Sequence, residues 1–429
     1  MLDYSLVFTL LFSVVLVLGL ITRFYLTSRQ IRHVARHRGN VPAAFAATIA
    51  LPSHQKAADY TIAKARLGML ETAFGTALLL GWTLLGGLDT LNQALLDSGL
   101  SDYGRLVPQL ALLTAFSVIS GLLDLPFTLY STFKLEERFG FNKMTLKLWL
   151  ADLVKSTLVG AVIGLPIVAL ILWLMSSAGS LWWLWAWAVW MGFNLLALVL
   201  FPTVIAPLFN KFKPLEDETL KARVTALMQR CGFAAKGLFV MDGSKRSAHA
   251  NAYFTGFGAA KRVVFYDTLL KQLNPGEVDA VLAHELGHFK HKHIIKRIVS
   301  MFAMSLVGFA LLGWLSSQVW FYTGLGVQPN LAGANDALAL LLFLLVVPLF
   351  SFFVSPVLAH FSRKHEFEAD AYAIAQTDGK DLQSALLKLY QDNASTLTPD
   401  PLFVKFYYSH PPASERLGRM LPSVESAAP

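Results

Sequence analysis

Long uncharged stretches alternate with short basic stretches along this chain. Seven apolar runs are long enough to cross a bilayer as helices, which takes about 20 residues each. They lie near 4–22, 67–88, 106–133, 156–176, 181–208, 298–322 and 337–358. The first is not expected to be a cleaved signal peptide, because Met1-Leu2-Asp3-Tyr4 carries no basic residue and Arg23 follows where a small-residue cleavage site belongs. Between the fifth and sixth runs, alternating Ala252, Tyr253 and Phe254 and the run 262–266 predict strands separated by Gly256 and Gly258. Asn274-Pro275-Gly276-Glu277 predicts a helix start: Asn as N-cap, Pro at the first helical position, Glu closing a capping box. That helix runs through Val281, Leu282, His284 and His288 towards the run at 298.

Charge divides the loops into two kinds. The segment 23–66 carries Arg23, Arg29, Arg32, Arg36, Arg38, Lys56, Lys64 and Arg66, and the segment 134–155 carries Lys134, Arg138, Lys143, Lys147 and Lys155. The alternate loops hold Asp89, Asp97, Asp102 and Asp336, with Arg105 their only basic residue. Basic loops face the cytoplasm, which predicts an outside N-terminus and a cytoplasmic C-terminus, as an odd number of spans requires. Two polar segments then share the cytoplasmic side, and neither is large enough to fold comfortably alone. The expected organisation is membrane helices one to five with their loops in 1–209, a catalytic segment in 210–297, helices six and seven in 298–358, and a second catalytic segment in 359–429. No internal repeat of the transporter kind is evident.

Composition sharpens this picture. Of 429 residues, 55% are hydrophobic and 15% charged, against about 25% charged in soluble proteins, which excludes a large soluble enzyme. The net charge of +8 resides in the loops that set topology, so lipid rather than nucleic acid is the expected neighbour. Cys231 is the single cysteine, which excludes an intrachain disulfide and a Cys-based zinc site. Gly160 and Gly164 form a GxxxG in the fourth run, a sign of close helix packing more than of dimerisation, and a monomer is expected.

The chemistry centres on His284-Glu285-Leu286-Gly287-His288. Imidazoles four residues apart share one helix face and can grip one metal ion, and the intervening carboxylate can take a proton from a metal-bound water. Catalytic zinc needs three protein ligands and one open position. His291, His293, His360, His365 and Glu366 are candidates for the third. His291 lies about 10 Å from His284 along the axis, too far to share an ion easily, and position 294 is Ile, which excludes metzincin spacing. With Lys290, Lys292, Lys296 and Arg297, His291 and His293 read as a basic collar at the membrane surface. Glu366 is the expected third ligand. Asp370, one helical turn on, is placed to orient a ligating imidazole through its other nitrogen.

These residues together resemble the type 1 CAAX prenyl protease family of integral-membrane zinc metalloproteases. The resemblance is carried in order by Leu125-Pro126-Phe127 through Phe141-Asn142-Lys143, by Ser244 to Phe254, by the HELGH segment, by Glu366-Phe367-Glu368-Ala369-Asp370, and by Ser409-His410-Pro411-Pro412 with Glu415-Arg416-Leu417. It implies one zinc per chain held by His284, His288 and Glu366, with Glu285 as general base and Asn251 and His410 against the scissile peptide; Arg416 is expected at the substrate too. The implied fold is mainly α: seven transmembrane helices enclosing a chamber, with a cytoplasmic-side, zincin-like α+β catalytic domain built from two chain segments. Asp124 and Glu71 suit chamber-facing positions or helix-end charges at the interface. His249 and Tyr253 are expected to pack.

The expected activity is therefore that of a membrane zinc endopeptidase acting on peptide or protein substrates. The competing class, a metal-binding transporter or an inactive scaffold, fits less well, since the general base is present and inverted repeats are not. The resemblance implies cleavage of prenylated cysteine peptides. The tail 423–429 lacks a dilysine retention signal, which with short loops favours a bacterial inner membrane over the endoplasmic reticulum. Bacteria do not generally prenylate proteins, so the expected role widens to quality control of misfolded membrane proteins, with CAAX-type peptides also accepted.

Overall fold

Asp3 caps the first helix, its carboxylate accepting from the Ser5 and Leu6 amides, and Arg36 and His37 sit in the last turn where the helix dipole favours cations. The structure is a computed structural model that describes residues 3–233, 237–255, 262–330 and 333–420. The first half is helical: α1 (Tyr4–His37), α2 (Leu51–Trp82), α3 (Gly87–Asp97), α4 (Leu106–Tyr130), α5 (Leu146–Ser177), α6 (Trp182–Leu200) and the short α7 (Ala206–Phe209). A π-helical turn, Ser131–Glu136, prolongs α4, and another, Phe201–Ile205, joins α6 to α7. The second half continues with β1 (Phe212–Pro214), α8 (Glu218–Arg230), β2 (Gly237–Met241), β3 (Ala252–Thr255), β4 (Arg262–Tyr266), α9 (Asp267–Gln272) and α10 (Pro275–Lys290). Then come α11 (His293–Leu315), α12 (Val319–Thr323), α13 (Asp336–Ser351), α14 (Ser355–Gln376), α15 (Gly379–Asp392), α16 (Pro401–Tyr407) and α17 (Ala413–Met420).

Among the described residues, six helices are long and apolar enough to cross a membrane, and the bent pair α2 and α3 makes a seventh span. Large apolar side chains point outwards from them: Val162 is 73% exposed and Val307 68%. An outward apolar surface on long helices suits lipid, where the helix satisfies its own backbone. Three spans differ from the sequence expectation. The second starts earlier, because α1 and α2 continue past their apolar stretches as a charged pair joined by Arg38 on Asp59 (2.7 Å) and His54 on the His37 carbonyl (2.9 Å). It then bends by 48° into α3 at Gly86, whose φ of +78° a side chain resists. The sixth span stops at Leu315; the apolar residues beyond it form α12, which turns aside to pack on α1 through Trp320 and Phe8, with rings 5.2 Å apart. The seventh passes Pro348, takes a 3₁₀ turn at Phe352–Val354 and continues as α14.

The small sheet has the order β1-β2-β4-β3. β2 and β4 are parallel, and β3 runs antiparallel to β4 with Ala252 opposite Phe265, which leaves β3 at an edge. Both expected strands are present; Gly256 and Gly258 lie outside the described residues.

Two large cores result. One, within the membrane helices, contains Phe12, Leu16, Leu112, Leu172, Leu312 and Leu342. The other joins distant parts of the chain: Val263 and Phe265 of β4, Leu282 and Leu286 of α10, Ala373 of α14 and Leu417 of α17, with Phe45 and Ile49 from the first basic loop. Burying each such Leu or Phe contributes about 1.5–3 kcal/mol, so α10 and α14 are held together by packing before any ligand chemistry is considered. A cavity of about 910 Å³ lies beside this core, walled by Arg23 of α1, Lys64 and Glu71 of α2, Asn393, Tyr408 and His410.

Candidate metal centre

The capping box starts α10 as its sequence requires. The Asn274 side chain accepts from the Glu277 amide at 2.9 Å while the Glu277 carboxylate accepts from the Asn274 amide at 2.8 Å. Glu277 also takes hydrogen bonds from Ser384 (2.6 Å) and Lys388 (2.8 Å) of α15, which fixes the helix against its neighbour. Three turns further, His284 and His288 emerge on one face, with Nε2 atoms 3.3 Å apart.

α14 crosses directly beneath them. A Cβ on Gly287 would lie 2.9 Å from the Ala369 Cα and 3.1 Å from its carbonyl oxygen, so only glycine permits this approach. The closeness brings Glu366 to the histidines: Oε2 is 3.4 Å from the His284 Nε2, and Oε1 is 3.4 Å from the His288 Nε2. One ligand atom from each of the three residues lies within 4.8 Å of the other two. Glu366 is buried, and its Oε2 has no hydrogen-bond partner among the described residues. A carboxylate oxygen so placed is costly unless something cationic sits against it.

Each histidine is held from behind. The His284 Nδ1 donates to the Asp370 Oδ1 at 2.8 Å, and Arg416 grips Asp370, its Nε donating to Oδ2 at 2.8 Å. Arg416 is 6% exposed and does not line the cavity. Its expected place at the substrate is thus not where the structure puts it, because Asp370 needs a buried cation once its other oxygen takes the imidazole. The His288 Nδ1 faces the His293 Nδ1 at 3.0 Å, and the His293 Nε2 donates to Glu368 at 2.8 Å. His293 is buried, not part of a surface collar, because the chain turns sharply between α10 and α11. Lys292 takes a left-handed φ of +56° there, a conformation that costs a side-chain-bearing residue about 1–3 kcal/mol. Helical spacing could not reveal this contact, since the break resets the register. His291, His360 and His365 lie outside the three-residue group.

Glu285, between the two histidines, is half-buried and makes no hydrogen bond or ion pair with another described residue. Burial above all pushes its carboxyl up, with Glu366 adding to the effect against the pull of His284 and Arg416. Burial lowers His284, but the Asp370 and Glu366 carboxylates outweigh it and push the imidazole up to about 9. His288 falls to about 4, through burial first and then the charge of His284.

His410, beside the site, reaches Glu366 with its Nε2 3.4 Å from Oε1 while facing the cavity. Its Nδ1 pairs with the Ser409 hydroxyl at 2.9 Å. Asn251 is exposed at the head of β3, its side-chain oxygen accepting from the Ala252 amide at 2.8 Å. Neighbouring His249 stacks on Phe141, centroids 4.4 Å apart, and bonds Asn393 at 3.1 Å. Tyr253 packs edge-on against Tyr266. Glu71 lines the cavity, whereas Asp124 is exposed and reaches Thr128 of its own helix.

Comparison with known proteins agrees along the chain. Residues 30–211 match the family described as CAAX prenyl protease N-terminal, five membrane helices, and residues 214–422 match peptidase family M48. CAAX prenyl protease 1 of Saccharomyces cerevisiae is 34% identical over 92% of this chain and 90% of that one. The CAAX prenyl protease 1 homolog of Homo sapiens is 32% identical over 92% of this chain and 91% of its own. The crystal structure of S. mikatae Ste24p superposes with a TM-score of 0.90 at 30% identity, covering 98% of this chain and 100% of that one. Fold and site together define a multi-pass integral-membrane metallopeptidase, acting on peptide or protein substrates. The chain belongs to peptidase family M48, and its N-terminal half is the membrane-helix domain that accompanies the peptidase in CAAX prenyl proteases.

Proposed function

We propose that this protein is a zinc endopeptidase in which His284, His288 and Glu366 hold one zinc ion, Glu285 is the general base, and C-terminal CAAX-type peptides are the substrates. The observation that carries it is the spacing of three donors: 3.3 Å between the imidazole nitrogens and 3.4 Å from each to a Glu366 oxygen. Nitrogen and oxygen ligands around a tetrahedral zinc stand about 3.3–3.5 Å apart, and the Glu366 Oε2, which makes no hydrogen bond among the described residues, is an acceptor such a cation satisfies. Zinc bound there supplies Lewis acidity, bringing a water's pKa towards about 7 and polarising a carbonyl.

The remaining chemistry falls to protein groups. Glu285, unpaired and raised by burial, takes the proton of the attacking water and returns it to the departing amine. Asp370, steadied by Arg416, keeps the His284 proton on Nδ1 so that Nε2 faces the ion. His410 and the Asn251 amide supply donors to the oxygen that gains charge, and the exposed edge of β3 receives the substrate backbone as an added strand. The segments 210–297 and 359–429 act as one catalytic unit on the cytoplasmic side, facing the basic loops.

The names of the relatives support a prenylated substrate. A wider role in clearing misfolded membrane proteins is favoured by one observation: the cavity wall is mixed, with Arg23, Lys64 and Glu71 on it, and so suits unmodified peptide as well. Metal analysis of purified wild type beside Glu366→Ala tests the core of the proposal. Wild type should carry one zinc per chain and the variant much less; equal zinc contents would remove Glu366 from the ligand set.

A further inference from the structure

The two histidines are backed differently. His284 meets a carboxylate directly, whereas His288 meets another imidazole: its Nδ1 lies 3.0 Å from the His293 Nδ1, and the His293 Nε2 lies 2.8 Å from the Glu368 Oε2. His293 is 4% exposed, packed between the parallel rings of His365 (centroids 4.0 Å, planes 14° apart) and His291 (5.5 Å, 15°). The close stack on His365 holds its ring plane, His291 lying farther off, and its two nitrogens are both engaged. Glu368 is held in turn by a longer contact to Lys364, 4.0 Å away.

The hydrogen positions follow from the geometry. If the His288 Nε2 faces Glu366 and the ion, its proton sits on Nδ1 and needs an acceptor. The His293 Nδ1 is the acceptor in reach, so the His293 proton sits on Nε2 and donates to Glu368. One ordering alone satisfies every nitrogen: His288 Nδ1–H to His293 Nδ1, then His293 Nε2–H to the Glu368 carboxylate. A proton on the facing nitrogen of His293 would set two N–H groups against each other. The left-handed turn at Lys292 brings His293 back under His288, so the strained residue serves this contact.

We infer that His293, backed by Glu368, is a positioning residue that fixes the tautomer and ring plane of the His288 ligand. This rests on the proposal that His288 binds zinc. Carboxylates and carbonyls commonly orient metal-bound histidines, and their loss weakens metal binding about 10–100-fold; here an imidazole carries the carboxylate's influence one ring further.

The test is zinc release from the purified full-length protein to excess chelator, together with the visible spectrum of the cobalt-loaded protein. His293→Phe keeps the stack but offers no acceptor, and should release zinc about 10–100-fold faster with a shifted cobalt spectrum. His293→Gln, whose amide oxygen can accept from the His288 Nδ1, should recover part of the loss. His291→Ala removes one stacking partner and should match wild type. Wild-type zinc release and cobalt spectrum in His293→Phe would overturn the inference, as would equal losses in His291→Ala, which would reduce His293 to packing. Should His293→Phe fail to fold, Glu368→Ala at the part-exposed end of the chain of bonds gives the same readout, and unchanged release there also overturns it. Zinc retention in His288→Ala would instead remove the ligand assignment beneath it, which separates the two failures.

Discussion

Glu285 sits between His284 and His288 and makes no hydrogen bond or ion pair with another described residue. Glu285→Gln keeps the side chain's shape and removes its basicity. Purified Glu285→Gln should retain metal in full while peptide cleavage falls by at least about 10²–10⁴-fold, the usual share of general base catalysis; cleavage at the wild-type rate would take the base role from this residue. The HELGH segment and Glu366 were legible because helical spacing and a missing third ligand both constrain them. Asp370 was legible as Glu366's neighbour one turn on. His293 and Arg416 were not. The first lies beyond a left-handed residue that no periodicity encodes, and the second, 46 positions further along the chain than Asp370, acts on that buried carboxylate, whose need for a cation appears only in three dimensions.

At the scale of elements, two features hold α10 in place, one against α14 and one against α15. Gly287 is a point of close approach to α14, and a methyl there would meet backbone atoms of Ala369, which cannot swing aside. Gly287→Ala should push the helices apart by a few tenths of an ångström or more and deplete bound metal, even in protein that remains folded by circular dichroism. Full metal content in that variant would show that the spacing is not set there. The capping box is the second feature. Burial raises the Glu277 carboxyl, but hydrogen bonds from Lys388, Ser384 and the Asn274 backbone outweigh it and hold the group below its ordinary value. Its folded value being the lower one, the stabilisation is complete above the unfolded Glu value of about 4.3 and is lost as pH falls through the folded one. The first melting transition should therefore drop more steeply on acidification in wild type than in Glu277→Gln, and parallel curves would remove Glu277 from that dependence. The capping box could be read from four consecutive residues; the bends at Gly86, after Leu315 and at Phe352 could not, since apolar composition continues through each of them.

On the scale of the whole molecule, the cavity joins α1 and α2 to the catalytic core, with His410 on its wall and 3.4 Å from Glu366. On the proposed function, a peptide bound there lies beside His410, the wall residue next to Glu366. Paired assays of a farnesylated CAAX peptide and its unmodified twin measure what this volume favours. The CAAX reading expects the lipidated peptide to be cleaved faster, chiefly through a lower KM. Equal kcat/KM for the two would shift the role to general membrane-protein turnover. The cavity was legible only through family resemblance, because its walls come from segments more than 300 residues apart whose meeting no local pattern announces.

The two ligand-bearing helices are joined by a pair of membrane crossings, α11 and α13, with α13 running on into α14 through a single short turn. During synthesis, a nascent chain that has left the ribosome as far as Lys290 owns both imidazoles but no acid to complete the set. Glu366, on α14, is made only after α11 and α13. On the proposed ligand set, the site is therefore completed only after both of these helices have been made.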